Sequence, residues 1–250
     1  MNTPAEPIVL VEGVAQRFGP RTIFHDVTFQ VNAGEVFVIL GGSGCGKSSL
    51  MKLMIGLRPP SEGRISLHGI DLADEEQRAG LLRRIGVMFQ SGALFGSMTL
   101  LENVMLPLQM YTDLPPEGCE TVARVKLGLV GLGEATALMP AEISGGMAKR
   151  AGIARAMALD PPLLFLDEPS AGLDPITSAG LDRLILDLRD ELGATFIVVT
   201  HELASILAIA DRCIMLDKTA QGVIATGNPR DLRETSTHPI VRAFFRREAM

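Results

Sequence analysis

Short apolar runs bounded by polar or turn residues recur along the chain and predict buried strands. Val36–Leu40, Leu163–Leu166 and Phe196–Val199 each hold four or five consecutive apolar residues, and a glycine or a polar residue ends each run. Runs of this length are typical of strands covered by helices on both faces of a parallel sheet. The pattern therefore predicts an α/β chain with a mainly parallel central sheet.

Shorter patterns predict a small antiparallel sheet and a helical insert. Residues 8–32 place apolar side chains at strand spacing, and residues 64–67 followed by His-Gly indicate a further strand and turn. Residues 93–155 instead carry helical patterns and scattered prolines, so we expect them to be mostly helical. Ile85–Gln90 is a further buried-strand candidate and ends in a polar amide.

These elements predict a single domain over residues 1–250 with internal subdivisions. We expect residues 1–92 and 156–235 to form the core with its antiparallel subdomain, and residues 93–155 to form the helical subdomain. Residues 236–250 form an amphipathic C-terminal extension in which Pro239 can start a helix with one apolar face. That face either folds back on its own domain or docks on a neighbour.

Composition and charge narrow the classes of function. The net charge of −6, from 23 Lys and Arg against 29 Asp and Glu, provides no basic footprint for nucleic acid. The 3 cysteines form no C-x-x-C pair, which suits a reducing compartment without disulfides or zinc. The N-terminus lacks the features of a signal peptide, and no apolar stretch approaches the roughly 18 residues of a membrane span. We therefore expect a soluble, cytoplasmic chain that reaches a membrane only through a partner.

A glycine-rich segment after the first buried strand has the spacing of a phosphate-binding loop, G-x-x-x-x-G-K-[ST]. Its residues, with the serine that follows, are Gly41, Gly42, Ser43, Gly44, Cys45, Gly46, Lys47, Ser48 and Ser49. Glycines let backbone N–H groups curl around an anion, and the following helix adds its positive dipole end. Lys47 supplies a charge for the β- and γ-phosphates, and the Ser48 hydroxyl suits Mg²⁺. The loop therefore predicts binding of a nucleoside triphosphate with Mg²⁺, and its Cys45 predicts inactivation by thiol reagents with protection by nucleotide.

Polar residues follow two further strands of the predicted sheet. Asp167 and Glu168 end one apolar run, and His201 ends another. Because the carboxyl ends of parallel strands line the phosphate site next to a P-loop, we expect Asp167 to hold Mg²⁺ through water and Glu168 to polarise the attacking water. The alternatives are a solvated surface turn for the two acids and a purely structural role for His201.

Ser144 and two glycines, Gly145 and Gly146, open a predicted helix that runs to about Leu159. Ser144 is a favourable N-cap, but glycine in a helix costs about 1 kcal/mol relative to alanine. Such a cost suggests a backbone that must approach something closely, most simply an anion. The alternative is a capped helix with no further role.

The order of these motifs resembles that of the ATPase subunits of ATP-binding cassette (ABC) transporters. The resemblance covers residues 8 to about 230 and rests on the P-loop, Gln90, Ile143–Met147 and Leu163–Glu168, with Asp174 and His201 behind them. It implies a P-loop NTPase (RecA-like) core with a small antiparallel β subdomain and an α-helical subdomain. It also implies ATP as the nucleotide, with hydrolysis coupled to transport.

The resemblance implies a role for each motif residue. The residues around Phe18 fit either core packing or a platform for adenine. The resemblance matches Phe18 to the aromatic residue that stacks on adenine. Lys47, Ser48 and Ser49 match phosphate and Mg²⁺ contacts, and Gln90 matches the residue that reaches Mg²⁺, the attacking water and the membrane subunit. The remaining matches are γ-phosphate binding in the opposite subunit by Ser144, Gly145 and Gly146, the catalytic base Glu168, the dimer-contact residue Asp174 and the γ-phosphate switch His201.

The chain resembles more closely the ATPases of Mla-type phospholipid transporters. This narrower match rests on residues 88–95, on the Met147 that ends the signature, and on residues 238–245. It implies a head-to-tail dimer that sandwiches ATP, integral membrane permease subunits, an MCE-type lipid-binding protein and a small accessory subunit. It places the chain on the cytoplasmic side of the inner membrane and implies phospholipid transport between inner and outer membranes, in support of outer-membrane lipid asymmetry.

The signature departs from its commonest form, and other functions remain open at this point. Ile143 and Met147 stand at its two ends, and methionine cannot donate a hydrogen bond to a ribose. The alternatives are an ABC ATPase for another substrate, a soluble ABC ATPase of repair or translation, and a regulator that binds ATP without turnover.

Overall fold

The computed structural model describes residues 7–90 and 92–248. The predicted lack of a signal peptide falls on residues 1–6, which lie outside this part of the chain, as does Ser91 of the segment 88–95. The strands are β1 (Val9–Phe18), β2 (Arg21–Val31), β3 (Val36–Gly41), β4 (Glu62–Leu67), β5 (Ile70–Asp71), β6 (Ile85–Met88), β7 (Leu163–Asp167), β8 (Thr195–Val199), β9 (Arg212–Asp217) and β10 (Gly222–Gly227). The α-helices are α1 (Lys47–Met54), α2 (Glu75–Leu82), α3 (Leu100–Tyr111), α4 (Pro116–Leu129), α5 (Gly145–Ala156), α6 (Pro175–Leu192), α7 (Leu203–Ile209), α8 (Pro229–Thr235) and α9 (Pro239–Arg246).

The larger sheet has the strand order β10-β9-β3-β8-β7-β6 and is parallel except for β10. Successive residues of β3 enter different cores because side chains alternate across a strand. Phe37 and Ile39 pack in the core with the smaller sheet and α1, while Val38 and Leu40 pack in the core that contains the helical insert. The prediction of a mainly parallel sheet with two covered faces is confirmed.

The register of the larger sheet aligns three strand ends. Ile39 of β3 pairs with Val199 of β8, and Val199 pairs with Asp167 of β7. The residues that follow these strands therefore leave the sheet at one edge, the edge at which ligands bind in open α/β sheets.

The smaller sheet has the order β2-β1-β4-β5 and is antiparallel throughout, as predicted. It packs against the larger sheet through the stacked rings of Phe29 and Phe37, whose centroids lie 5.3 Å apart. Its β1 ends at Phe18, and the chain then returns through β2 toward the P-loop.

The predicted helical insert contains α3, α4 and nearly all of α5, although its boundaries stay a prediction. Two details differ from the sequence patterns. Helix α5 ends at Ala156, and the predicted last turn to Leu159 is a turn outside the helix. Strand β6 ends at Met88, so Gln90 lies in the exposed loop beyond the strand.

The C-terminal extension folds back on its own chain. Helix α9 begins at Pro239, as predicted, and buries Val241 and Phe245 in the core that contains the helical insert. Of the two alternatives for its apolar face, the structure therefore shows docking in cis.

Candidate functional site

The P-loop is a tight turn that only glycine permits at two positions. Gly41 has φ 148°, and a Cβ there would lie 2.3 Å from the carbonyl oxygen of Leu216. Gly46 has φ 106°, and a Cβ there would lie 2.7 Å from the Phe24 ring. Between them Gly42, Ser43 and Gly44 are exposed, which leaves their backbone accessible to a ligand.

Lys47 begins α1 and folds over the loop. Its Nζ donates hydrogen bonds to the carbonyl oxygens of Gly41 and Gly42, at 2.8 and 3.2 Å. Ser48 and Ser49 follow it in the first turn of α1, where backbone N–H groups lack partners within the helix. This arrangement is suited to an anion at the loop and the helix N-terminus.

Cys45 does not behave as its place in the P-loop suggests. Its side chain is only 1% exposed and packs in the core beneath the loop. Burial raises the pKa of the Cys45 thiol, and the nearby charge of Lys47 opposes this only in part. A protonated, buried thiol is a poor nucleophile, so the structure favours slow alkylation of Cys45 in the folded protein over the expected sensitivity to thiol reagents.

Asp167 and Glu168 meet the edge of the sheet in a strained turn. Glu168 has φ 48°, the left-handed region, and its backbone N–H donates to the carbonyl oxygen of Val199 at 2.7 Å. This turn brings Glu168 Oε1 to 2.8 Å from His201 Nδ1. The turn thus brings Glu168 into contact with His201, two residues that sequence patterns place at the ends of different strands.

Both carboxylates carry a buried oxygen with no hydrogen-bond partner among the described residues, namely Asp167 Oδ1 and Glu168 Oε2. Burial raises the pKa of Asp167, and the charge of Glu168 raises it further, while Lys52, Lys47 and Lys149 oppose the shift. Unpartnered carboxylate oxygens beside a P-loop fit a divalent cation, which prefers oxygen ligands. The residues present are therefore compatible with Mg²⁺.

Phe18 and Asp174 lie at the periphery. The Phe18 ring is 43% exposed, with the Arg58 guanidinium 5.5 Å from its centroid, so the core-packing alternative is wrong. Asp174 is the N-cap of α6 and accepts from the N–H groups of Ile176 and Thr177 and from the Thr177 hydroxyl. The bond from the Thr177 hydroxyl is the main reason that the pKa of Asp174 is lowered.

Ser144 caps α5, with Oγ accepting from the Met147 N–H at 3.3 Å, as predicted. The packing of the chain itself explains why a glycine stands at position 146, two residues after Ser144. A Cβ at Gly146 would lie 2.5 Å from Thr177 Cγ2 on α6, whereas one at Gly145 would meet nothing closer than 3.7 Å. Close approach of an anion is therefore not needed to explain Gly146, although Ser144 and Gly145 remain exposed.

The structure adds Lys149, which sequence patterns do not single out. Its side chain is 6% exposed, and its Nζ donates to the carbonyl oxygens of Gln90 and, at 3.0 Å, of Glu168. Burial lowers the pKa of Lys149, while the charges of Glu168, Asp167 and Glu202 oppose the shift. The available sequence signal was a lysine within two turns of the Ser-Gly-Gly segment, in a helix without a distinct polar face.

Comparison with known proteins agrees with this geometry. The profile of the family described as "ABC transporter" matches residues 24–171. The chain is 40% identical over 248 residues to the "Intermembrane phospholipid transport system ATP-binding protein MlaF" of Escherichia coli K12, covering 98% of this chain and 91% of that protein. It is 41% identical over 244 residues to the "Probable ribonucleotide transport ATP-binding protein mkl" of Mycobacterium leprae, covering 97% of this chain and 70% of that protein. It spans 65% of the corresponding Mycobacterium tuberculosis protein.

Solved structures show the same architecture. The cbiO1 subunit of the cbiONQ ABC transporter complex from Clostridium perfringens superposes with a TM-score of 0.83 at 28% identity, covering 91% of this chain and 90% of that one. A dimeric ATP-binding cassette bound to ADP and Pi superposes with a TM-score of 0.79 at 29% identity, covering 88% of this chain and 98% of that one.

Proposed function

The chain belongs to the ABC transporter family and is an ATP-hydrolysing subunit, and we propose that its ATPase cycle drives phospholipid transport between inner and outer membranes. The proposal that the chain hydrolyses ATP at this site rests on one observation. The P-loop, Asp167, Glu168 and His201 all lie at the same edge of the larger sheet. The similarity to MlaF over nearly the full length of both proteins supports the lipid as cargo.

In this proposal each residue acts on one part of the triphosphate. Lys47 and the P-loop N–H groups hold the phosphates, and the exposed Phe18 ring stacks on adenine. Glu168 accepts the proton of the attacking water, while His201, whose Nδ1 lies 2.8 Å from Oε1, keeps the carboxylate in place. Ser48, Gln90 and Asp167 would hold Mg²⁺, which when bound neutralises charge on the phosphate oxygens.

A second copy of the chain completes the site. Ser144 and Gly145 are exposed at the start of α5, where a helix N-terminus favours an anion. In a head-to-tail dimer these groups contact the γ-phosphate held by the opposite P-loop, and Asp174 lies at the contact between copies. The solved cassette that retains both ADP and Pi after hydrolysis is a dimer, which supports a dimeric site.

The membrane partner docks beside the Gln90 loop. A cavity of about 590 Å³ is lined by Leu57, Phe89, Pro107 and Tyr111, among others, and Leu57 and Tyr111 are 60% and 47% exposed. Large apolar groups around a concavity mark an interaction surface. In the part of the chain that the structure describes, no helix is both long and apolar enough to span a bilayer. Permease subunits in the inner membrane, an MCE-type lipid-binding protein and a small accessory subunit complete the proposed assembly.

The names of the mycobacterial relatives favour a second candidate cargo, a ribonucleotide. The two cargoes are distinguished by purifying the chain with its membrane subunits and identifying the bound small molecules. Co-purified phospholipid supports the first candidate, and co-purified ribonucleotide other than the ATPase substrate supports the second.

The catalytic assignment is tested with Glu168→Gln. We expect this variant to bind ATP but to lose turnover by about 10²-fold or more, because the amide cannot accept the proton of water. Steady-state phosphate release and ATP binding are measured beside Glu191→Gln, the same substitution at an exposed position of α6. Turnover of Glu168→Gln at the rate of the unchanged chain would show that Glu168 is not the base.

A further inference from the structure

One face of α5 holds the loop that carries Gln90. Lys149, Gly152 and Arg155 are spaced three residues apart and therefore lie along this face. Arg155 donates to the carbonyl oxygens of Ala93 and Gly92, at 2.7 and 3.0 Å. A Cβ at Gly152 would lie 3.1 Å from the Gly92 Cα, so the loop and the helix are in close contact there.

Lys149 extends this contact to the backbone of Glu168. Its ammonium group donates to the backbone carbonyls of both Gln90 and Glu168. These two residues lie in loops that are far apart in the sequence, so Lys149 links the two loops. A charged donor shared by two carbonyls in a buried position makes strong, directional bonds that water does not replace. Lys149 thus sets the separation between the backbones of Gln90 and Glu168, the two residues that the proposed function places at the γ-phosphate.

The same helix begins at Ser144. Five residues separate Ser144 from Lys149, which is about 7.5 Å along an α-helix axis. A shift of the helix N-terminus is therefore transmitted to Lys149 as a rigid-body movement, because one and a half helical turns do not bend appreciably.

We propose that Lys149 is a positioning residue that holds Gln90 and Glu168 in register for hydrolysis and ties them to the helix that carries Ser144. This role rests on the proposed function, since it presupposes that Gln90 and Glu168 act on ATP. In the dimer, Ser144 of one copy contacts the nucleotide held by the other copy. A movement of Ser144 on that contact is then passed through Lys149 to Gln90 and Glu168 of the same chain as Ser144.

The substitution Lys149→Met tests the role because it removes both hydrogen bonds and the charge while roughly keeping the side-chain volume. A displacement of about 1 Å costs about 10²-fold in rate, so we expect kcat to fall about 10- to 100-fold. The KM and the Kd for ATP change little, because Lys47 and the P-loop are untouched. The Hill coefficient for ATP falls toward one. Lys149→Arg, which keeps charged donors, restores part of the lost kcat.

Lys126→Met is the matched control. Lys126 is also 6% exposed, but it pairs with Asp160 and bonds neither Gln90 nor Glu168 among the described contacts. We expect it to lower the melting temperature without a selective loss of kcat. The proposal is overturned if Lys149→Met keeps the kcat of the unchanged chain, or if it loses no more kcat than Lys126→Met.

A further variant and a reference measurement keep the test decisive. Should Lys149→Met fail to fold, Lys149→Gln is judged by the same kcat and KM criteria, because its neutral amide ends one bond short of the ammonium position and is not expected to bridge the two carbonyls. Glu168→Gln is assayed in parallel. Full turnover by that variant would overturn the proposed function itself, whereas an inactive Glu168→Gln with an unaffected Lys149→Met would overturn only the role of Lys149.

Discussion

At the scale of single residues, backbone conformation decides which side chains can do chemistry. Glu168 is predicted at a strand end from the apolar run before it, but its left-handed φ of 48° and its contact with His201 are properties of the folded turn. A non-glycine residue in this region is strained by about 1 kcal/mol or more. The strain is maintained because the Glu168 N–H is tied to Val199 on the neighbouring strand.

Cys45 yields a prediction at this scale. In the native protein we expect its alkylation by iodoacetamide to be about tenfold or more slower than in the denatured chain, because burial lowers both access and the thiolate fraction. Mg-ATP should change the native rate little. Peptide mass spectrometry over time, with the guanidinium-unfolded chain as reference, measures both rates. Rapid native labelling that ATP blocks would contradict the buried thiol.

At the scale of elements, patterns predicted which segments form strands and helices, and packing decided their ends and contacts. Strand β6 stops at Met88, which leaves Gln90 in a loop that α5 holds through Lys149 and Arg155. The apolar face of α9 was recognisable in the sequence. Whether this face packs on its own domain or on a neighbour was decided only by the structure, in which Val241 and Phe245 are buried in the chain's own core.

The crossing of α5 and α6 at Gly146 yields a second prediction. Gly146→Ala places a Cβ 2.5 Å from Thr177 Cγ2, and we expect it to destabilise the fold by about 1–3 kcal/mol. Gly145→Ala is the control, because its Cβ makes only an ordinary contact at 3.7 Å and alanine favours a helix. Urea unfolding of both variants measures the difference.

The clash also predicts a specific rescue. Thr177→Ser removes the methyl group but keeps the hydroxyl that bonds Asp174, so it should recover much of the stability lost in Gly146→Ala. If the stability change of the double variant equals the sum of the changes of the two single variants, the added Cβ at position 146 and the Thr177 methyl group do not interact.

At the scale of the whole molecule, the candidate nucleotide site is built from one sheet edge, and the Ser144 helix end belongs to a different part of the chain. The P-loop, Asp167, Glu168 and His201 share one sheet edge, while the exposed Ser144 begins a helix of the insert. If a second copy supplies Ser144, nucleotide binding and dimer closure are linked, and ATP shifts the equilibrium toward the closed dimer.

Dimer formation is the prediction at this scale. We expect Glu168→Gln to form a dimer with ATP but not with ADP in size-exclusion chromatography. Adding Ser144→Arg should prevent the dimer while leaving ATP binding to the monomer unchanged, because the proposed contact of the exposed Ser144 is with the other copy's nucleotide. Weaker ATP binding by the monomeric double variant would instead place Ser144 at its own chain's site.

The P-loop, the strand-end carboxylates and the capped helix at Ser144 were predictable because each depends on residues contiguous in the chain. The mainly parallel direction of the buried strands followed from the same local runs, whereas their order in the sheet was decided by the tertiary structure. The roles of Lys149, Gly146 and Cys45 were not predictable, because their contacts join distant segments. Lys149 meets Gln90 across 59 positions of sequence, and only the folding of α5 onto the sheet edge brings them together. Hydrophobic periodicity reports which face of an element is buried, whereas a buried hydrogen bond depends on which other element covers that face.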